Sequence, residues 1–335
     1  MPTSFIGNIR STISWLGIMC AFLSQSSLAL SSTQGFKYTN QKIAFVTGSN
    51  KGIGYEIAKM ILSHKGDKKG EGGSESFVCI LGCRNEKLGR SAAESLASET
   101  QNAAVDVVVM DLMDKDSINN AAAYIEATYG RCDVLINNAA VCYNDPTLYG
   151  TVPHTPFAQQ ADITIATNFF GTLALTKAMI PLLEKSEDPR IINIASSAGR
   201  LSIIPSEERR KALSSESLTL ENLETYMNDF VQAAQDNRHT SEGWPNTGYG
   251  VSKVGIIAMT KILARKHTGR NSDDAFRMMV NSVDPGYCAT DQNNNQGVIP
   301  AKRGAVTPYL LATLSDDNNE GFTGKHWYQE QEIQW

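Results

Sequence analysis

Short β-branched runs alternate with longer amphipathic segments along most of this chain, and this alternation restricts the fold more than any other feature. Such runs are typical of strands buried on both faces, and the segments between them have the period of helices. The predicted strands span 43–47, 77–81, 105–110, 134–137, 191–195 and 278–283, and the clearest helices 53–62, 87–98 and 118–129. Strands joined by helical crossovers form a parallel sheet. The sequence therefore predicts an α/β fold with a doubly wound parallel sheet.

Length and charge limit the domain organisation and the partners. A chain of 335 residues corresponds to two domains at about 150 residues each, or to one large α/β domain with insertions. The regular alternation favours one domain over residues 41–335. A net charge of −5 argues against a nucleic-acid partner.

The first forty residues differ from the rest. No acidic residue precedes Glu56, and an apolar run over 13–23 follows Arg10. This run is too short to span a bilayer, which takes roughly 20 residues, but it suits the core of a signal peptide, and Ser27 and Ala29 offer a small-residue cleavage site. An organellar transit peptide, or a disordered or membrane-associating extension of a cytoplasmic protein, is the alternative. We expect residues 1–40 to be a targeting segment.

Metal chemistry is not indicated by the sequence. The six cysteines include no CxxC pair, and the five histidines are far apart. Neither arrangement supplies ligands at the spacing of a zinc site, and the cysteines are too sparse for a disulfide scaffold. We therefore expect no metal.

A glycine-rich turn ends the first predicted strand and begins the first helix, in the sequence TGSNKGIG. Glycines allow the backbone to approach a pyrophosphate, which the N–H groups of the helix start then stabilise. The position between strand and helix makes a dinucleotide site the preferred interpretation. The candidate contacts are Gly48, Asn50, Lys51, Gly52, Ile53 and Gly54.

The residues after the second strand indicate which dinucleotide binds. Arg84 stands near the place where an acidic residue would hold the ribose 2′-hydroxyl of NAD. Together with Lys51 it offers two cations to a 2′-phosphate, so NADP(H) is favoured. The alternative is that both cations are simply solvated.

Further motifs occur in a fixed order: Asn137-Asn138-Ala139-Ala140 after the fourth strand, a serine after the fifth, and Tyr249 four residues before Lys253. With the glycine turn, this set resembles the short-chain dehydrogenase/reductase family over essentially all of residues 41–335. The resemblance implies a Rossmann fold.

An insertion of about fifty residues between the serine and Tyr249 narrows the resemblance. Three features are similar to the monomeric NADPH-dependent carbonyl reductases. They are the residues before Tyr249 that include Trp244, the segment 167–172, and the terminal Trp335. The subgroup implies a monomer, because the insertion covers the face through which other members dimerise. It also implies a substrate lid over about 200–247, carrying Tyr226, Phe230 and Trp244. For Trp244, packing in the core is an equal alternative to a place in the substrate wall.

Tyr249 and Lys253 form a candidate catalytic pair. A tyrosine hydroxyl has a reference pKa near 10, so it needs nearby positive charge to act at neutral pH. Lys253 lies on the same helix face, and we expect it to lower the tyrosine pKa. The alternative is an ordinary exposed pair.

Two serines compete for the second catalytic position. Counting from the strand asparagine places the family serine on Ser196, with Ser197 as the alternative. Its hydroxyl would stabilise the substrate oxygen. Asn168 matches the family asparagine that holds a water linked to the lysine, the alternative being an ordinary polar helix residue.

The resemblance also implies further cofactor contacts. Ala140 stands where the family has glycine, so we expect slight strain there, and Asp284 is unusual at a position that is apolar or cysteine in relatives. The implied contacts are Asp111, Leu112, Asn138, Ala139, Tyr249, Lys253, Pro285, Gly286 and Thr290.

We expect an NADPH-dependent carbonyl reductase that acts on a ketone, aldehyde or quinone. Hydride would reach the carbonyl carbon, and Tyr249 would donate the proton. The runner-up is an NADP-dependent alcohol dehydrogenase working in the oxidative direction. A non-catalytic NADP(H)-binding redox sensor is disfavoured, because both Tyr249 and Lys253 are present.

Overall fold

The computed structural model describes residues 40–65, 76–101, 103–143, 155–267, 278–314 and 321–335. The predicted targeting segment lies outside the described residues except for Asn40. The central feature is one sheet in the strand order β10-β9-β6-β5-β4-β1-β2-β3. Its strands are β1 (Lys42–Thr47), β2 (Phe77–Cys83), β3 (Val105–Val109), β4 (Val134–Asn137), β5 (Arg190–Ile194), β6 (Met279–Asp284), β9 (His326–Tyr328) and β10 (Gln331–Ile333).

Neighbouring strands from β3 to β9 are parallel, and only the pair β9 and β10 is antiparallel. The predicted doubly wound parallel sheet is confirmed. The ends of the six predicted strands differ from the observed ones by at most two residues. A separate short pair, β7 (Cys288–Ala289) and β8 (Ile299–Pro300), follows β6.

Helices cover both faces of the sheet. They are α1 (Gly52–Leu62), α2 (Glu86–Glu99), α3 (Lys115–Tyr129), α4 (Phe157–Ile165), α5 (Thr172–Leu183), α6 (Glu207–Leu213), α7 (Leu220–Gln235), α8 (Gly248–His267), α9 (Ala301–Gly304) and α10 (Val306–Thr313). A π-helical turn, Ala166–Gly171, joins α4 to α5. Among the described residues, this continuous segment Phe157–Leu183 is the one helix long and apolar enough to cross a membrane, and most of it is buried inside the protein.

Alternation along β1 shows why its residues are almost all apolar. Ile43 and Phe45 pack into the core that contains α3, α4, α5, α7 and α8, whereas Ala44 and Val46 pack into the core with α1, α2 and α10. Successive side chains of a strand point to opposite faces. A strand covered by helices on both faces therefore has no position for an exposed polar residue.

A network of hydrogen bonds between buried side chains joins β4, β5 and α8. Asn137 of β4 donates to Asn193 of β5 at 2.8 Å, and Asn193 donates to Thr260 of α8 at 2.8 Å. Buried polar groups are costly unless paired, so this network fixes α8 against the ends of both strands.

Part of the insertion packs into the core. Helix α7 packs against α4 and α8. Trp244 is 1% exposed, with Phe230 against its ring and the Arg209 guanidinium 4.2 Å from its ring centre. Phe230 and Trp244 of the predicted lid thus belong to the core, whereas most of residues 200–247 are exposed or partly buried.

The final hairpin is fixed at its turn. Gln329 and Glu330 have φ of 49° and 61°, as two-residue hairpin turns require. The Glu330 carboxylate accepts two hydrogen bonds from Arg303, at 2.8 and 2.9 Å, and one from Thr307 at 2.8 Å. These bonds join the hairpin to α9 and α10.

Candidate active site

A cleft of about 220 Å³ lies at the carboxyl ends of β1, β2, β3 and β4. In open α/β sheets this edge is where nucleotides bind. Most of the predicted cofactor residues line it: Gly48, Asn50, Lys51, Gly52, Ile53, Arg84, Asp111, Leu112, Asn138, Ala139 and Thr290.

The glycine turn has the geometry that a pyrophosphate needs. Gly48 and Gly52 have φ of 64° and 60°, a conformation that other residues rarely adopt. A methyl group added to Gly48 would lie 2.9 Å from the Ala139 Cα. Helix α1 has no acidic residue in its first turn and no side-chain cap at Lys51. Its first N–H groups are therefore available to an anion, so the turn fits the diphosphate of NADP(H).

Gly54 does not line the cleft. A methyl group there would lie 2.5 Å from Asn138 Nδ2 and 2.6 Å from the Gly48 carbonyl oxygen. Asn138 Nδ2 itself donates to the Thr47 carbonyl at 2.8 Å. The glycine at this position makes room for the asparagine that supports the turn.

The two predicted cations differ in their surroundings. Arg84 is exposed at the cleft, and no partner for its side chain occurs among the residues the structure describes. Lys51 instead forms an ion pair with Asp291, with Nζ and Oδ2 3.0 Å apart and both side chains more than 60% exposed. Exposed pairs of this kind are weak, so Lys51 can exchange Asp291 for a phosphate.

Tyr249, Lys253 and Ser196 are brought together beside the cleft. Lys253 is 3% exposed, and its Nζ lies 5.5 Å from the centre of the Tyr249 ring and donates to the Ile194 carbonyl at 2.7 Å. The Ser196 hydroxyl lies close enough to that of Tyr249 to lower the pKa of Tyr249. Ser197 is exposed and begins the 3₁₀ turn that follows.

The pKa of Tyr249 departs from its ordinary value in the direction opposite to our expectation. Burial raises the pKa of Tyr249, with smaller raising effects from Cys142 and Asp284, and these outweigh the Ser196 hydrogen bond that lowers it. Burial also lowers the pKa of Lys253 to about 8. The cost of burying either charge dominates, because the pair is removed from water.

The Asn168 side chain makes three hydrogen bonds to the protein around it. Its Oδ1 accepts from the Val141 N–H at 2.8 Å, and its Nδ2 donates to the Val141 carbonyl at 2.9 Å and to Ser252 Oγ at 3.1 Å. The side chain therefore joins the loop after β4 to α8. Among the described hydrogen bonds of Asn168 none reaches Lys253.

The remaining predicted positions lie outside the cleft. Tyr249, Lys253, Pro285 and Gly286 do not line it. Asp284 is 5% exposed and accepts a hydrogen bond from the Gly286 N–H at 2.9 Å. We expected slight backbone strain at Ala140. It is not found, because Ala140 does not have a positive φ.

Several lining residues were not predicted from the sequence. Cys83 ends β2 and Met110 follows β3, and the carboxyl ends of parallel strands are where ligands bind. Asp291 and Gln292 directly follow Thr290. The whole set is Gly82, Cys83, Met110, Ala140, Val141, Thr167, Asp291 and Gln292. Cys142, next to this set, lies near Gln292 and Lys253, and both lower its pKa against the raising effect of burial. No sequence motif marked it.

A second pocket, of about 240 Å³, opens beside Tyr249. It is lined by Tyr143, Phe157, Gln160, Thr164, Asn246, Thr247, Gly248 and Tyr249. Asn246 and Thr247 are the end of the insertion, so the predicted lid contributes only its last residues. Thr164 is 1% exposed, and its hydroxyl has no hydrogen-bond partner among the residues the structure describes. It is available to a polar group in the pocket.

Comparison with known proteins is consistent across sequence and structure. A family model described as short chain dehydrogenase matches residues 42–206. Carbonyl reductase (NADPH) 1 of Bos taurus is 32% identical over 295 residues, covering 88% of this chain and 98% of that protein. A (+)-neomenthol dehydrogenase of Capsicum annuum is 33% identical over 322 residues, covering 85% and 96%.

Solved structures give the same result. Salutaridine reductase from Papaver somniferum superposes with a TM-score of 0.71 at 27% identity, over 86% of this chain and 99% of that chain. Menthone neomenthol reductase from Mentha piperita has a TM-score of 0.69 at 27% identity, over 87% and 99%.

Fold, cleft and relatives define an NADP-dependent oxidoreductase with NADP(H) as its cofactor. The chain belongs to the short-chain dehydrogenase/reductase family and resembles the carbonyl reductases within it.

Arg84→Ala tests the assignment of the 2′-phosphate contact. We expect the KM for NADPH to rise by about tenfold or more, because a charge-assisted bond is lost, while the KM for NADH changes little. Steady-state kinetics with both cofactors measures this. Arg90→Ala, which removes an exposed arginine paired with Glu86 on α2, is the matched control. An unchanged preference for NADPH over NADH would assign the contact to another cation.

Proposed function

We propose that the protein is an NADPH-dependent carbonyl reductase that reduces a ketone, aldehyde or quinone with Tyr249 as proton donor. The observation that carries the proposal is the position of Tyr249. Tyr249 lines the 240 Å³ pocket, its hydroxyl lies near that of Ser196, and the Nζ of the buried Lys253 lies 5.5 Å from its ring centre. A carbonyl oxygen in the pocket could accept a hydrogen bond from Tyr249, and we expect Ser196, beside Tyr249, to reach the same oxygen.

Bound NADPH supplies the hydride. In the proposed reaction the Ser196 hydroxyl donates a hydrogen bond to the carbonyl oxygen and stabilises the charge that develops there. Tyr249 donates its proton to the same oxygen. Burial raises the pKa of Tyr249, which keeps the hydroxyl protonated until the substrate requires its proton.

Lys253 resupplies the proton in this scheme. With its pKa lowered to about 8, its ammonium group is a better proton donor than an exposed lysine. The Asn168 side chain holds the loop after β4 and Ser252 of α8 in place. The water that we expect at Asn168 would complete the relay.

The relatives support carbonyl and alcohol chemistry. One is called a carbonyl reductase, one a neomenthol dehydrogenase, and two structural neighbours are named reductases of salutaridine and of menthone and neomenthol.

The proposed function is tested by measuring NADPH consumption by the full chain with ketones, aldehydes and quinones, and NADP⁺ reduction with the corresponding alcohols. Faster alcohol oxidation under matched conditions would favour the dehydrogenase, and cofactor binding without turnover in either direction would contradict the proposal.

Tyr249→Phe isolates the proton donor. We expect turnover to fall by about a hundredfold to ten-thousandfold, the range for a general acid, while NADPH still binds. Initial rates and NADPH fluorescence titration measure the two quantities. Tyr226→Phe in α7 removes a hydroxyl from a partly buried tyrosine that does not line the pocket, and should leave both unchanged. A Tyr249→Phe rate near that of the wild type would assign the proton to another group.

Asp284 should set the pH dependence. Burial lowers the pKa of Lys253, with smaller raising effects from Cys142 and Asp284. We expect kcat/KM for carbonyl reduction to fall as pH rises through about 8, where Lys253 loses its proton. Asp284→Asn removes one negative charge, so the pKa of Lys253 falls and the declining limb moves to lower pH. Asp229→Asn, on the exposed face of α7, should not move it, and a limb that stays or moves upward in Asp284→Asn contradicts the scheme.

We also propose that the protein is a monomer. Helix α7 packs on α4 and α8 and so covers the helical face through which other members of the family are expected to dimerise. Light scattering during size-exclusion chromatography should give the mass of one chain, 36.5 kDa for the full sequence. A mass twice as large would show that another surface forms a dimer.

A further inference from the structure

The last residue of the sequence contacts the turn that carries Ser196. The Trp335 Nε1–H donates to the Gly199 carbonyl at 2.8 Å. Its ring packs against the core that contains α8, and the Lys261 Nζ lies 5.9 Å from its centre. An indole N–H that finds an acceptor fixes both the ring and the acceptor in place.

Gly199 is directly tied to Ser196. It ends the 3₁₀ turn Ser197–Gly199, and its N–H donates to the Ser196 carbonyl at 2.9 Å. The Ala198 N–H donates to the Ser196 Oγ at 3.2 Å. The position of the turn therefore sets the direction of the Ser196 hydroxyl, which meets Tyr249.

The opposite side of Gly199 lies against the catalytic helix. A methyl group on Gly199 would be 2.7 Å from the carbonyl carbon and the Cβ of Lys253. The turn thus has no space to move toward α8, and Trp335 holds its outward-facing carbonyl. The strand pairing of β9 with β10, anchored through Glu330, delivers Trp335 to this place.

We propose that Trp335 is a positioning residue that holds the Ser196 turn against α8 and so keeps the serine hydroxyl directed at the substrate oxygen. The inference rests on the proposed function, in which Ser196 binds that oxygen. It predicts that losing the indole N–H affects the chemical step and leaves cofactor binding unaffected.

Trp335→Phe keeps an aromatic ring and removes the donor. The matched control is Trp327→Phe in β9 of the same hairpin. Trp327 is buried and stacks on Phe322, and its Nε1–H has no partner among the described residues. We expect Trp335→Phe to lower kcat by about three- to tenfold, the effect of one lost hydrogen bond, with the KM for NADPH unchanged. Trp327→Phe should leave kcat at the wild-type value.

A Ser196→Ala background separates positioning from general damage. There we expect Trp335→Phe to cause no further loss of kcat, because residues that act through one group are not additive. An equal loss in both backgrounds, or wild-type kcat in Trp335→Phe, would overturn the proposal.

Hydrogen exchange gives a readout that does not depend on turnover. We expect faster exchange of the amides of residues 198–200 in Trp335→Phe than in Trp327→Phe and the wild type, at matched melting temperature. Unchanged exchange there overturns the positioning role. Wild-type protein that binds NADPH but reduces no carbonyl would instead overturn the proposed function, and the exchange experiment would still decide whether Trp335 holds the turn.

Discussion

The rest of the site depends on the hydrogen bond from the buried ammonium group of Lys253 to the Ile194 carbonyl. A charge that is 3% exposed is tolerated only where a fixed partner receives it, and here the Ile194 carbonyl at the end of β5 does so at 2.7 Å. This contact requires α8 to lie across the end of β5. The Asn137–Asn193–Thr260 network and the close approach of Gly199 to Lys253 enforce that position.

Those parts of the molecule that follow from local rules could be predicted from the sequence. Strands covered on both faces must be continuously apolar, so the runs at 43–47 and 191–195 marked them within a residue. A strand, a glycine turn and a helix start in succession indicated where a dinucleotide binds. Four-residue spacing on one helix face predicted that Tyr249 and Lys253 would be neighbours, as they are.

Features that arise from packing between distant segments could not be predicted in this way. The tight packing of Gly54 against Asn138 is one such feature, and the burial of Trp244 between Phe230 and Arg209 is another. The pKa of Tyr249 depends on how completely water is excluded, which residue spacing does not reveal. The same holds for Cys142, which no motif marks.

The residues that line the cofactor cleft lie at the ends of four strands and at 290–292. They are close to one another only when the sheet is formed. An unfolded chain offers no such assembly, and a ligand that binds only the folded chain stabilises it by mass action, by about 2.7 kcal/mol at a hundred times its Kd. NADP(H) is therefore a folding ligand as well as a reactant. When its concentration falls, this stabilisation decreases and the unfolded share of the molecules at equilibrium rises.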